Sequence, residues 1–158
     1  MNRRWILITI AMEEGIERTE MKQLSATEKA VIGLEAFVGL SAVAGGVLLM
    51  IRPDGSLLAA RTSALAHTPF RDWLVPGLLL GLFGGGGTLP VAVLVLQKRR
   101  HARQLVLLSG AGIVFAEALE GAMIGFQPLQ PIVALIGLGV LVLGWRLPRP
   151  RSNGWTRE

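Results

Sequence analysis

No cysteine occurs in the 158 residues, which excludes disulfides, thiolate nucleophiles and cysteine metal sites. Histidine is almost as scarce: His67 and His101 are too few for a multi-histidine metal centre. Charge is thin as well. Charged residues make up 17% of the chain, against about 25% in an average soluble domain. Hydrophobic residues make up 51%, and the mean hydropathy is +0.52. The shortage of charge is concentrated in long uncharged runs. That excludes a disordered tail, a coiled coil, a collagen-like chain and a disulfide scaffold, and it is the pattern of a membrane protein.

Four runs carry this pattern, over about residues 30–51, 73–96, 104–126 and 131–147. Each has about 17–24 residues, where about 20 cross a hydrocarbon core about 30 Å thick. Backbone groups in lipid must find partners within the chain, so the runs are expected to be helices. A soluble bundle would need amphipathic stripes, and the second run has none. The expected fold is all-α, a transmembrane four-helix up-down bundle over 25–147. A cytoplasmic segment over 1–24 precedes it, and a basic tail over 148–158 follows.

The net charge of +5 and a pI near 11 do not call for a nucleic acid, because position explains them. Arg3, Arg4, Arg18, Lys22 and Lys29 precede the first span. Lys98, Arg99, Arg100 and Arg103 separate spans two and three, and Arg146, Arg149, Arg151 and Arg157 end the chain. Only Arg52, Arg61 and Arg71 lie on the other side. The positive-inside rule then places the protein in the cytoplasmic (inner) membrane with both termini in the cytoplasm. Anionic lipid headgroups are the partners expected at that basic face.

Helix signals agree with these spans. Ser25 and Glu28 have the spacing of a capping box, so the first helix starts ahead of its lipid-facing run. Arg52, Pro53, Asp54 and Gly55 are a stop. Thr68 followed by Pro69 reads as an N-cap and first helical residue, with Asp72 in the first turn. Phe126 to Pro131 reads as a tight turn. Arg3 and Arg4 ahead of Trp5 to Met12 imitate the start of a signal peptide without its cleavage site. Residues up to Arg18 read as an interfacial helix, a flexible tail, or a leader upstream of a start at Met21.

Within the spans two features stand out. Gly84, Gly85, Gly86 and Gly87 give up about 1 kcal/mol of helix preference each relative to alanine. Pro90 removes one helical bond, to Gly86. A kink is expected there, serving either helix packing or a backbone opening of the transporter kind. Gly45 with Gly46, Gly121 with Gly125, and Gly137 with Gly139 fit close helix approach.

The acids are the second feature. Glu117 and Glu120 share a face of span three, about 20 and 24 Å from Gln104 at 1.5 Å per residue. Two central charges would cost about 5–7 kcal/mol, so these carboxyls must be protonated, paired or turned into the bundle. Glu35 lies only about 7–8 Å deep from the opposite side, which separates it from them. Arg52, His67, Arg71 and Asp72 in the long second connection are the expected outer-face partners of Glu120. Glu35 is expected at the inner headgroups, or paired with Arg100 or Arg103.

Glu35 to Gly39, Gly45 with Gly46, Arg52 to Gly55, Thr68 to Asp72, Leu74 to Gly77, Glu120 to Gly125 and Leu129 to Pro131 form a combined pattern. It resembles a group of small four-span bacterial integral membrane proteins common in actinobacteria. The resemblance runs from about Leu24 to Leu147 and implies a four-span fold but no particular activity. In that arrangement acids matching Glu35 and Glu120 recur, one matching Glu117 does not, and the Gly84 to Gly87 run is a local departure. A fainter, fold-level similarity is to DoxX-like four-helix membrane proteins.

Three functions follow as expectations. The first is an interaction or accessory protein, associating with itself or with a larger membrane complex through small-residue faces. The second is a small proton-coupled transporter using Glu120, with Glu35 at the far end of a path. The third is an enzyme or redox partner acting on a lipid or quinone, with Glu117, Glu120, His67 and Asp72 as acid–base groups. No catalytic triad, metal motif or phosphate-binding glycine loop is present, so neither a catalytic residue nor a cofactor is expected.

Overall fold

A computed structural model describes residues 24–148, and every regular element in that range is helical. The readings made for the N-terminal segment and the basic tail fall outside those residues, apart from Leu24 and Pro148. The four main helices are α1 (Ala26–Ile51), α2 (Leu74–Leu96), α3 (Ala102–Ile124) and α4 (Gln130–Arg146). The first three are long and apolar enough to cross a membrane, and α4 is a shorter apolar helix of 17 residues.

The start of α1 is closed by the capping box: the Ser25 hydroxyl accepts from the Glu28 amide at 3.2 Å, and Glu28 Oε2 accepts from the Ser25 amide at 2.7 Å. α2 starts later than Thr68 and Pro69 suggested. The Thr68 hydroxyl instead donates to the Leu65 carbonyl and accepts from the Phe70 amide, closing a local turn. Asp72 serves the helix start, its Oδ1 accepting from the Leu74 amide at 3.0 Å.

Between α1 and α2 the connection makes two 3-10 turns, Ser56–Leu58 and Thr62–Leu65, and folds back onto the helix ends. Leu65 and Trp73 are buried against Leu49, with Ile124 beside them. The Trp73 amide donates to the Pro53 carbonyl at 2.8 Å, which ties the two ends of the connection together. At the other end of the molecule Val31, Val95, Val106, Val140 and Leu147 form the main core. Two small cores thus sit at opposite ends.

Helix contacts are strongest between α1 and α2 and between α3 and α4; α2 also meets α3, and α4 meets α1. Glycine permits the tightest approach. A Cβ on Gly46 would strike the Gly77 carbonyl at 2.5 Å, and one on Gly110 would come within 3.0 Å of the Gly137 carbonyl. Outside these contacts a belt of large apolar side chains faces outward. Phe83 is 74% exposed, Phe115 69% and Trp145 70%. Contiguous apolar surface beyond a few hundred Å² is rare on soluble monomers.

Candidate functional site

The buried face of α1 is Val31, Glu35, Gly39, Ala42, Gly46 and Leu49. Steps of four and three keep these residues on one seam, in the manner of tightly paired helices. Glu35 therefore occupies a core position, and none of its surface is exposed. From α3, Ser109 Oγ donates to Glu35 Oε2 at 2.8 Å. The other carboxyl oxygen, Oε1, is buried without a hydrogen-bond partner. Glu35 thus neither reaches the headgroups nor pairs with Arg100 or Arg103. A hydroxyl at matching depth on the neighbouring helix holds it, about 10–14 Å from the helix starts at 1.5 Å per residue.

The glycine run lies against the same seam. Leu80–Gly85 forms a π-helical turn inside α2, and the Gly86 amide reaches back five residues to the Gly81 carbonyl. Such a turn inserts an extra residue, and it is common near functional sites. Gly84 and Gly85 face α1, where a Cβ would press on Ala42 and on Val43 respectively. Gly86 and Gly87 have open space around them. Thr88 is buried, 4% exposed, and its hydroxyl donates to the Gly84 carbonyl at 2.7 Å. The hydroxyl also lies 2.5 Å from where a Cβ on Gly39 would be, one turn of α1 beyond Glu35. Pro90 sits within regular α-helix, so the irregularity is centred on the residues before the glycine run rather than on the proline.

Glu117 and Glu120 are elsewhere. Eight residues separate Ser109 from Glu117, about 12 Å along α3. Glu120 is exposed and Glu117 half-buried. Neither makes a hydrogen bond or ion pair with the described residues. Arg52, His67, Arg71 and Asp72 are all exposed, and none meets Glu120. The expected outer-face cluster does not come together among the described residues. The most apolar stretch of α3 is only 11% buried, against 28% for α1 and for α2. The two acids thus ride on the least covered of the three long helices.

Three polar residues that the sequence reading passed over are structural: Ser109, Thr88 and Gln130. Gln130 Oε1 accepts from the Gln127 amide at 3.0 Å, and its Nε2 donates to the Gly125 carbonyl at 3.3 Å, stitching the turn between α3 and α4. Ser109 had a signal in its depth, which matches that of Glu35, but a search confined to charged partners misses a hydroxyl. No family model, curated protein or solved structure matches the chain.

Proposed function

We propose that the chain is a multi-pass protein of the cytoplasmic membrane, an up-down bundle of four spans with both termini in the cytoplasm. We further propose that it acts as an interaction or accessory subunit, associating through α3 with a second copy or a larger membrane complex. One observation carries this reading. Glu117 and Glu120 lie on a helix that the rest of the chain leaves largely uncovered. A charged carboxylate at the centre of a bilayer costs about 2.5–3.5 kcal/mol, a penalty that polar neighbours from another protein surface relieve. Exposed Ala111, Gly112, Ala116 and Ala118 on the same helix would let a partner helix approach closely.

The absence of cysteine makes the test clean. Ala116→Cys and Leu119→Cys introduce a single thiol, and oxidation in native membranes is expected to give a discrete adduct. Val93→Cys, exposed on α2, serves as the control position. A strictly monomeric particle in mild detergent, with no adduct from either α3 position, contradicts the reading.

A second reading, proton-coupled transport, is supported by the unpartnered Glu35 oxygen, which lies on the same seam of α1 that the π-turn of α2 packs against one or more turns further on. It places Glu35 rather than Glu120 at its centre. Loss of pH-driven flux in liposomes on Glu35→Gln, with folding intact, supports it; unchanged flux removes it. The lipid or quinone enzyme draws no support from the described residues, where neither His67 nor Asp72 meets Glu117 or Glu120.

A further inference from the structure

The start of α1, the end of α2, the start of α3 and the chain just after α4 meet around one cavity of about 210 Å³. Its polar wall is Lys98, Arg99, Arg100 and Arg103, with Glu28 as the single acid among the described residues. Val95 and Leu147 supply an apolar side.

The local structure holds this wall in place. Lys98 takes a left-handed conformation, φ 51°, and the chain reverses there. The Lys98 amide donates to the Val95 carbonyl at 3.0 Å and the Arg99 amide to the Leu94 carbonyl at 3.0 Å. That pair of bonds is the Schellman closure of a helix C-terminus, so the basic loop is anchored to α2. Arg99 Nε donates to Gln97 Oε1 at 3.2 Å. Glu28 Oε2 is engaged by the Ser25 amide, which limits what this acid offers to the cavity.

Arg103 is the informative residue. Its Nε is buried and has no hydrogen-bond partner. A buried donor without an acceptor forfeits its hydration uncompensated, and a guanidinium recovers most by paired bonds to a carboxylate or phosphate. Glu28 gives one oxygen to the Ser25 amide and is outnumbered by four basic side chains, so the wall favours a further anion, and a phosphate oxygen is a matching acceptor. Pockets that enclose drug-sized ligands run to about 300–1,000 Å³, so this smaller cavity suits a headgroup-sized anion. Basic pockets between spans at the cytoplasmic side are recognised sites for phosphate-bearing lipid headgroups.

We propose that this cavity is a discrete binding site for a phosphate group, with Arg103 as its specific ligand, Arg100 and Lys98 adding charge, and Val95 and Leu147 forming an apolar side. The chemistry is shared by an anionic lipid headgroup and by free phosphate. The site is independent of α3-mediated association.

The experiment uses the full chain in nanodiscs, read by thermal unfolding and by native mass spectrometry of retained lipid. One arm has phosphatidylcholine nanodiscs with millimolar inorganic phosphate; the other replaces part of the phosphatidylcholine with phosphatidylglycerol. Stabilisation in the first arm alone assigns free phosphate, and retention of phosphatidylglycerol in the second assigns a lipid headgroup. Arg103→Gln is expected to weaken whichever occurs by about tenfold or more, the size of one lost charged hydrogen bond. Arg103→Lys keeps the charge without the planar fork and is expected to fall between. Arg61→Gln removes the same charge from the opposite end and is expected to change nothing. No response in either arm overturns the proposal. So does an equal loss from Arg103→Gln and Arg61→Gln, because that pattern is net charge rather than a site. Should Arg103→Gln fail to fold, the comparison of Arg103→Lys with Arg61→Gln decides in the same way.

Discussion

Ser109 reaches Glu35 across 74 positions of sequence, its hydroxyl donating to one carboxyl oxygen while the other oxygen has no partner. That single bond joins α1 to α3, two helices that otherwise meet chiefly through α2 and α4. Removing it with Ser109→Ala leaves both oxygens of a fully buried carboxyl unpaired. An orphaned buried polar group costs about 1–3 kcal/mol, so the unfolding midpoint in a detergent titration is expected to drop accordingly. Glu35→Gln keeps an acceptor for Ser109 and is expected to lose less. Equal midpoints for wild type and Ser109→Ala contradict the pairing.

The glycine run divides into a packed half and an open half. A Cβ at Gly85 presses on Val43 and comes within 3.2 Å of the Gly39 carbonyl, so Gly85→Ala is expected to destabilise by about 1–3 kcal/mol through overpacking. At Gly87 nothing lies within 4 Å. Gly87→Ala is therefore expected to be neutral, or to stabilise by up to about 1 kcal/mol through helix preference. Both variants are compared by thermal unfolding in the same detergent. A reversed order contradicts the α1–α2 approach.

The connection over the helix ends depends on Trp73. Its side chain is 9% exposed and packs with Leu49 and Leu65, and its indole nitrogen has no hydrogen-bond partner. Trp73→Phe therefore sacrifices no hydrogen bond and is expected to be mild. Trp73→Ala is expected to cost about 3–5 kcal/mol and to release residues 52–72. Hydrogen exchange of those amides is the measurement, and unchanged protection in Trp73→Ala contradicts the account.

Asp54 supplies a pH dependence outside the four main helices. Its Oδ1 accepts from the Ser56 amide at 3.0 Å and from the Ser56 hydroxyl at 2.8 Å. Those bonds favour the ionised form and hold its carboxyl below the usual 3.8. A depressed pKa contributes stability above 3.8, and that contribution fades as pH falls through the lower folded value. Ser56→Ala removes the hydroxyl bond and keeps the amide bond, so it is expected to move the Asp54 titration part of the way back up, read by carboxyl chemical shift. An unmoved titration removes the Ser56 hydroxyl as a contributor and leaves the amide as the cause.

The four main helices were legible in the sequence because hydrophobic length is a one-dimensional property. Expected ends fall within a few residues of α1 to α4, and two starts differ: α1 begins ahead of its apolar run, as the capping box of Ser25 and Glu28 announced, and α2 begins at Leu74 rather than directly after Thr68. The acids were harder. Counting residues separates Glu35 from Glu117 and Glu120 in depth, but depth does not say which way a side chain turns. Glu120 was expected under the outer connection, and it faces outward. Glu35 was expected near headgroups or arginines, and it lies in the α1 seam. The steps from Val31 through Glu35 to Gly39, Ala42 and Gly46 contained that answer, since small residues at those intervals mark a contact face.

Composition and order along the chain determined that this protein is helical, that its long apolar runs suit lipid, and that its basic residues gather in a few segments. These depend only on hydropathy, local hydrogen bonding and charge, all readable residue by residue. Tertiary structure decided which hydroxyl meets Glu35, which glycines touch another helix, and that the basic loop before Arg103 lines one cavity with the distant Glu28 and Leu147. Those outcomes depend on helix rotation and on contacts between residues far apart in sequence, which no local pattern specifies.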